Sequence, residues 1–324
     1  MAYHRKVTAK KIEVRLVDVF TNEPFQGNPL VVVLYGENLT VEEKTAIVRE
    51  MNASKAAFIG DSNDGKSDFK VTSYSALEEI KCDYHCLIGS AFVMIADKQV
   101  TLKDGPTNIL TVQTDGGVFP LLVNTKGRDL QGIMIMLDWN EKAEFRRIDY
   151  DNSMMAEALG LESEDIRRDV LIQAVKMNHW SVMVPVTSRD VLGKVVKNRS
   201  KLVNLALENN VEFICLFYVN EAQAESKIYT RVFNPSASMN GSSDNFEDVI
   251  TGLSNPGIAA YMYEHKLIPT SGSKIITTFV QQSKDGRIGE TVVEMVTVNE
   301  IIKEIYIGGK ATSVLDGKMR LTQY

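Results

Sequence analysis

The chain has little cysteine, little histidine and no long apolar run. Its 324 residues include three cysteines, at positions 82, 86 and 215, and four histidines. An odd number of cysteines makes no disulfide framework in a chain of this size, so we expect reduced thiols in a cytosolic compartment. The longest apolar runs, such as residues 30–35, fall well short of the roughly 20 residues that a membrane helix needs. The basic start, MAYHRKVTAKK, is followed by alternating residues and not by the apolar block of a secretory signal.

Positive charge is also in short supply. The chain carries 36 Lys and Arg against 42 Asp and Glu, a net charge of −6, and has no long basic run. This balance favours solubility and argues against a partner that presents a nucleic-acid phosphate backbone. The hydrophobic fraction of 44% and the charged fraction of 24% are typical of a soluble globular protein. The length exceeds what one hydrophobic core usually supports, so we expect two domains.

Periodicity predicts a mixture of strands and helices. Alternation over Ile12–Phe20 predicts a strand, and Thr40 followed by Glu43 forms a capping box that opens a helix. The apolar stretch 86–97 predicts a buried helix, 188–209 a long amphipathic segment, and Pro256 the start of a helix that runs to about residue 266. Further helical segments are predicted at 153–160 and 163–168. Further strands are predicted near 30–35, 56–59, 68–74, 109–113, 118–124, 133–137, 170–176, 181–186, 212–219, 227–233, 274–280, 290–298, 302–308 and 311–315.

The two halves of the chain repeat one arrangement weakly. In each half, strands lead into a polar loop and then into a buried helix, first around His85 and then around Asp248. We therefore expect two similar α+β domains, each presenting a helix N-terminus to a shared cleft. Clefts between domains are where small-molecule sites usually lie.

The segment KCDYHC, residues 81–86, leaves three interpretations open. A metal site built on Cys82, His85 and Cys86 would be crowded and would have no second ligand pair elsewhere. A two-thiol racemase would need one cysteine from each half, and the second half offers none near Asp248. The third interpretation is a single working histidine. Just before a helix, His85 would feel the positive helix end, which lowers its pKa and keeps it neutral near pH 7. From these residues alone, a structural histidine is the favoured interpretation.

The segment Val17–Leu30, VDVFTNEPFQGNPL, resembles the opening signature of the PhzF-like family of phenazine biosynthesis, whose relatives include diaminopimelate epimerase and proline racemase. The resemblance continues in order through the segments 49–54, 74–91, 231–235, 247–252, 282–287 and 307–311. It implies an α+β fold of two similar domains, each a mixed β-sheet wrapped around a central helix. We expect the first domain at 1–128, completed by 308–324, and the second at 129–307. The family also implies a cofactor-independent site, frequent homodimers and isomerisation of a small-molecule substrate by proton relocation.

Three catalytic positions carry over, and one of them is changed. The family's histidine falls on His85 and its aspartate on Asp248, whereas its proton-shuttling glutamate falls on Lys55. The glycine before the histidine has become Tyr84. The family's substrate-binding serine is replaced by Leu253, with a serine one position later at Ser254.

The lysine leaves several roles open. Lys55 could be a base with a lowered pKa, a fixed cation that binds a carboxylate or stabilises an enolate, a Schiff-base former, or a solvated side chain with no role. Backbone N–H groups near Gly89, Ser90, Thr251 and Gly252, at the two predicted helix starts, suit an anionic substrate group.

The resemblance and its departures lead to one expected activity and one rival. We expect a cofactor-free isomerase acting on a carboxylate- or carbonyl-bearing metabolite, with Tyr84 and Ser254 among its substrate-binding residues. The altered pocket suggests isomerisation, elimination or cyclisation in secondary metabolism. The rival is a binding protein that kept the fold and lost the chemistry, which Lys55, Leu253 and the lost motif proline would favour.

Overall fold

The chain forms two compact units. A computed structural model describes residues 9–137, 143–177, 179–220, 227–235, 246–247, 250–283 and 286–322. Unit 1 spans Met1–Ile135 and Gly309–Tyr324, and unit 2 spans Met136–Gly308. Within these described ranges, no helix is both long enough and apolar enough to cross a membrane.

Unit 1 consists of strands with two α-helices between them. Its strands are β1 (Ala9–Val19), β2 (Asn28–Leu34), β3 (Ala56–Gly60), β4 (Phe69–Tyr74), β5 (Glu79–Ile80), β6 (Thr107–Thr114), β7 (Gly117–Lys126), β8 (Asp129–Met136) and β17 (Ala311–Thr322), and its helices are α1 (Val41–Glu50) and α2 (Tyr84–Ala96). The capping box predicted for α1 is present: Glu43 N donates to Thr40 Oγ1 and Thr40 N donates to Glu43 Oε2.

The sheet of unit 1 is mixed. Antiparallel pairing joins β1 to β2, β3 to β4, β6 to β7 and β7 to β8. Parallel pairing joins β2 to β3 and β4 to β6, and each parallel pair is connected through a helix. β17 lies antiparallel along the other edge of β1, so the last strand of the chain completes the sheet of the first unit.

Unit 2 is built from the same kinds of elements. Its strands are β9 (Glu144–Arg147), β10 (Gln173–Lys176), β11 (Trp180–Pro185), β12 (Phe213–Tyr218), β13 (Ile228–Phe233), β14 (Lys274–Gln282), β15 (Ile288–Val298) and β16 (Ile301–Gly309). Its helices are α3 (Asn152–Leu159), α4 (Arg189–Lys194), α5 (Arg199–Glu208) and α6 (Asn255–Glu264), the last with Pro256 at its second position.

The order of pairing in unit 2 repeats that of unit 1. From β10 to β16 the pairs are antiparallel, parallel, antiparallel, parallel, antiparallel and antiparallel. The same succession runs from β1 to β8 when the short β5 is left aside. The weak repeat in the sequence therefore corresponds to a repeated topology, in which α2 and α6 occupy equivalent positions.

A buried helix lies at the centre of each unit. α2 packs against β1, β2, β3, β4 and β17, and α6 packs against β10, β11 and β15. In α2 every residue from His85 to Ala91 is buried. A helix that is apolar on all sides is stable only inside a core, which explains why its sequence lacks an amphipathic pattern.

Two segments differ from their prediction. The segment 188–209 forms two helices, because residues 195–198 leave the helical path and bind the backbone of α3, with Val196 N donating to Leu159 O and Asn198 N to Ala158 O. Asn198 then caps α5 through the N–H of Lys201. The segment 163–168 makes a single 3₁₀ turn, since Ile166 pairs with Val186 in a β-bridge.

Candidate active site

Lys55 lies in the short connection between α1 and β3. Asn52, whose φ of 47° falls in the left-handed region, lies just beyond α1 and turns the chain towards β3. The Lys55 side chain is 32% exposed, and its Nζ lies 2.5 Å from Oδ2 of Asp83. The lysine is thus a half-buried cation held by a specific partner.

Asp83 joins this ion pair to the start of α2. It is the N-cap residue of the helix: its Oδ1 accepts a hydrogen bond from Cys86 N at 3.0 Å while Oδ2 accepts from Lys55. Its side chain is only 5% exposed. Burial favours the neutral acid, but the charge and hydrogen bond of Lys55, together with the Cys86 N–H, hold the pKa of Asp83 at about 2. Both members of the pair are therefore charged at neutral pH.

His85 occupies the first turn of α2 and is buried, at 7% exposure. Its Nε2 lies 3.1 Å from the carbonyl oxygen of Asn28, and its ring stacks on Phe20 with centroids 6.1 Å apart. Burial lowers the pKa of His85 to about 4, the Lys55 charge acts in the same direction, and Asp83 opposes both. The imidazole is therefore neutral at pH 7 and can accept a proton.

The neighbouring thiols of Cys82 and Cys86 are not activated as nucleophiles. Burial and the charge of Asp83 raise the pKa of Cys82 to about 12 and that of Cys86 well above its usual value, so both stay protonated. Ligand atoms of Asp83, His85 and Cys86 lie within 4.8 Å of one another, which is close enough for a metal site. A cation there would meet the Lys55 ammonium, a neutral thiol and a carboxylate whose oxygens already accept hydrogen bonds, so this donor set does not favour one.

α2 begins at Tyr84, two residues earlier than the predicted start at Cys86. Gly89 and Ser90 consequently lie in its second turn, beyond the first four N–H groups that lack a partner inside the helix. We expected their amides to form an anion cradle at the helix start, and this prediction was wrong. The Ser90 hydroxyl differs: Oγ is fully buried and, among the described residues, has no hydrogen-bond partner.

The second predicted acid/base group, Asp248, lies outside the described residues. Its neighbour Glu247 is described, and it is held by two cations: Arg231 Nε lies 2.7 Å from one carboxylate oxygen and Lys197 Nζ 2.8 Å from the other. Burial alone would raise the pKa of Glu247, but these two partners hold it below its usual value. The backbone before Asp248 is further fixed by a bridge between Glu247 and Phe233.

The remaining predicted residues of unit 2 lie at the start of α6. The Thr251 amide donates to Gln281 Oε1 at 3.2 Å, and the Thr251 hydroxyl accepts from Leu253 N. Gly252 is buried in the same turn. Ser254 is the N-cap residue, yet within the described structure its buried Oγ neither caps the helix nor meets another partner. A polar atom in that state is suited to a ligand group or a water molecule.

Reasoning from the sequence missed three residues that contact this site. Asp83 stands directly before the apolar run of α2, where aspartate is a favoured N-cap, so its capping role was legible. Its ion pair with Lys55, 28 positions away, could not be predicted from the sequence. The Phe20 ring stacks on His85, and the Asn28 carbonyl lies within hydrogen-bonding distance of its Nε2. No local sequence pattern predicts either contact.

Comparison with known proteins places the chain among related sequences and folds. A family model described as phenazine biosynthesis-like protein matches residues 17–317. An uncharacterized isomerase of Clostridium acetobutylicum is 27% identical over 96% of this chain and 99% of its own length. A crystal structure of a Bacillus anthracis phenazine biosynthesis protein of the PhzF family superposes with a TM-score of 0.80 at 21% identity, covering 96% of this chain and 99% of that one.

A more distant solved structure extends the likeness. A hydroxyproline epimerase from Agrobacterium vitis, with bound trans-4-hydroxy-L-proline, gives a TM-score of 0.56 at 11% identity and covers 100% of this chain and 95% of that one. Together these matches confirm the resemblance drawn from the sequence and the predicted α+β, epimerase-like fold.

Proposed function

Because the chain belongs to the phenazine biosynthesis-like protein family, we propose that it is a cofactor-independent isomerase that relocates a proton in a small carboxylate- or carbonyl-bearing metabolite. The relative in Clostridium acetobutylicum is named an isomerase, and the structural neighbour from Agrobacterium vitis is an epimerase. An epimerase inverts one stereocentre of its substrate, and an isomerase rearranges bonds within one molecule. The two names support the reaction class and leave the substrate to be argued from the residues.

The observation that carries the proposal is the Lys55–Asp83 ion pair beside a buried, neutral His85. Of the roles that the sequence left open for Lys55, a base and a Schiff-base former both require a neutral amine. A lysine 2.5 Å from a carboxylate with a pKa of about 2 stays protonated. Lys55 therefore acts as a fixed cation, which stabilises the negative charge that develops when a carbon next to a carboxylate or carbonyl loses its proton.

His85 is the base that takes this proton. It is neutral at pH 7, and it lies within the field of the Lys55 cation. A bound substrate carboxylate would offset that field and raise the pKa of His85 towards neutrality, where proton exchange is most efficient. Asp248 is proposed as the acid that returns a proton to a second carbon, and exchange with water then restores both groups.

Substrate binding is assigned to polar groups near the two helix starts. The buried hydroxyls of Ser90 and Ser254, which meet no partner among the described residues, are the groups best suited to hydrogen-bond a substrate. Thr251 and Gly252 are assigned to the same role through their position before α6. Tyr84, at the first position of α2, is assigned to the same role and stands where the family has a glycine.

Solvent deuterium tests the proposal directly. The purified protein is incubated in D2O with pooled amino, hydroxy, keto and unsaturated carboxylic acids, and mass spectrometry records one-unit mass gains. We expect the wild-type protein to label one class of acid. His85→Gln should abolish the labelling, and Lys55→Met should reduce it by about 100-fold, as expected for loss of one preorganised stabilising charge. Equal labelling by wild type and His85→Gln would sink the assignment.

A double variant separates catalysis from stability. Lys55→Met alone leaves the Asp83 charge buried without its partner, which destabilises the fold. In Lys55→Met/Asp83→Ser no buried charge remains, and serine can still cap α2. We expect this variant to fold and to label the substrate with deuterium as slowly as Lys55→Met does. Full labelling by the double variant would contradict the role of Lys55.

The rival function, a non-catalytic binding protein, has its own signature. A binder raises the melting temperature of the protein with one of the pooled acids but exchanges no deuterium into it. That result with the wild-type protein would overturn the isomerase proposal.

A further inference from the structure

We propose that the segment Phe20–Asn28 holds His85 as the Nε2–H tautomer, with Phe20 as a positioning residue, so that Nδ1 is the nitrogen that exchanges a proton with substrate. The segment defined by residues 20–28, called here the β1–β2 loop, contacts the imidazole at its two ends. The exchange at Nδ1 rests on the proposed function, whereas the tautomer and the role of Phe20 do not.

The hydrogen bond from the imidazole to Asn28 fixes the tautomer. The partner of His85 Nε2, at 3.1 Å, is a backbone carbonyl oxygen, which can only accept. Nε2 must therefore carry the hydrogen. A neutral imidazole has a single N–H, so Nδ1 keeps its lone pair. Asn28 pairs with Val19 at the first position of β2, and the sheet thus holds this carbonyl in place.

Phe20 closes the other side of the ring. Its side chain is 1% exposed, and its ring stacks on the imidazole with centroids 6.1 Å apart and planes inclined by 28°. An apolar face against His85 excludes water, which is consistent with the lowered pKa of the histidine. The charges that act on the imidazole in the described structure are those of Lys55 and Asp83. The charges of Lys55 and Asp83 are opposite in sign and paired, so their effects on the imidazole oppose each other. Burial, to which the Phe20 ring contributes, is the larger influence on the His85 pKa.

The backbone of Phe20 is strained. Its φ is 67°, a region that bulky side chains rarely adopt and that glycine adopts readily. The conformation is held by the Phe20 N–H, which donates to Lys310 O at 2.7 Å. Strained residues of this kind persist where the surroundings determine them, and they concentrate at functional sites. The strain marks the position, and the buried stacking of the ring on His85 is what distinguishes Phe20.

The same loop supplies an internal contrast. Phe25 has a φ of 68°, nearly that of Phe20, and its N–H donates to the buried Asp18 Oδ2 at 2.7 Å. Its side chain, however, is 69% exposed. The two phenylalanines share a backbone conformation, and only Phe20 stacks its ring on His85 within the described ranges.

Nitrogen NMR of the histidine rings tests the inference without any substrate. The full-length protein is labelled with ¹⁵N in its four histidines, and His85 is assigned by the signal lost in His85→Gln. At pH 7 we expect Nε2 protonated and Nδ1 bare. In Phe20→Leu the ratio of the Nε2–H tautomer to the Nδ1–H tautomer should fall by about two- to tenfold. This change corresponds to the usual interaction energy of a pair of aromatic rings. The pKa of His85 should also move from about 4 towards 6.5.

Two matched variants serve as controls. Phe58→Leu removes a ring that is equally buried in unit 1 but contacts Tyr74 edge to face, and Phe25→Leu changes the exposed phenylalanine of the same loop. Both should leave the His85 signals unchanged. A shift of equal size in Phe58→Leu, or none in Phe20→Leu, would refute the positioning role.

The wild-type spectrum is decisive by itself if Phe20→Leu does not fold. An Nδ1–H tautomer in the wild-type protein overturns the inference. Failure of the proposed function has a different signature, because deuterium labelling would then be absent while the Nε2–H tautomer and its dependence on Phe20 persist.

Discussion

Gly89 shows how one residue sets the packing of the site helix. A Cβ atom built at this position would lie 2.4 Å from Leu30 Cδ2 and 3.0 Å from Val19 Cγ2, so the missing side chain lets α2 approach β1 and β2 closely. We predict that Gly89→Ala lowers the free energy of unfolding by about 1–3 kcal/mol through overpacking. Urea denaturation followed by circular dichroism measures the change.

Gly193 provides the matched control for this prediction. It lies in α4, where an added Cβ would meet no heavy atom within 4 Å in the described structure. Gly193→Ala should stabilise by up to about 1 kcal/mol, because alanine is the better helix former. Equal effects of the two substitutions would contradict the packing argument. Since Gly89 is needed for packing, loss of activity in Gly89→Ala would not by itself establish substrate binding.

The sequence offers candidate site residues but not the contacts between them. His85 and Lys55 are candidates because their positions match a family motif. The sequence could not say which role Lys55 has, because that depends on Asp83, 28 positions away, and on the burial of both side chains. The strain at Phe20 was equally hidden, since a left-handed conformation of an aromatic residue follows from its tertiary contacts and not from local propensity.

The contribution of the α1 capping box to the free energy of unfolding can be measured separately. Thr40 and Glu43 exchange two hydrogen bonds, of 3.2 and 2.9 Å, at the start of the helix that leads to Lys55. Thr40→Ala removes the side-chain acceptor, and we predict a loss of about 1 kcal/mol in the free energy of unfolding. Ser188 is the control: it is the N-cap of α4, and within the described part of the chain its side chain makes no capping hydrogen bond. Ser188→Ala should change the same quantity by much less, and a similar loss in both variants would count against the capping argument.

Elements with a strong local signal were predicted from the sequence, and those decided by tertiary contacts were not. The alternating and apolar strands, the capping box and the buried helix α2 all follow local rules. The break between α4 and α5 does not, because it depends on hydrogen bonds from residues 196 and 198 to the backbone of α3. The first residue of α2 was misplaced by two positions, since Asp83 and not a residue nearer to Cys86 caps it.

At the scale of the whole molecule, the buried histidine couples stability to pH. The pKa of His85 is about 4 in the folded protein against 6.5 when unfolded, so between these values the unfolded chain binds more protons. Stability is then greatest above pH 6.5 and falls as the pH drops towards 4. For His85 alone, the free energy of unfolding should be about 2 kcal/mol lower at pH 5 than at pH 7.5. The Asp83 contribution lies lower, because its stabilisation is lost only as the pH falls through the range between its usual pKa of 3.8 and about 2.

We therefore predict that His85→Gln flattens the pH dependence of the unfolding free energy between pH 7.5 and pH 4.5, a window that excludes Asp83. A glutamine amide can still donate to the Asn28 carbonyl, so the fold is kept while the titration is removed. Urea denaturation at half-unit intervals of pH measures both proteins. If the His85→Gln curve ran parallel to that of the wild type, the imidazole would not be the buried neutral base that we propose.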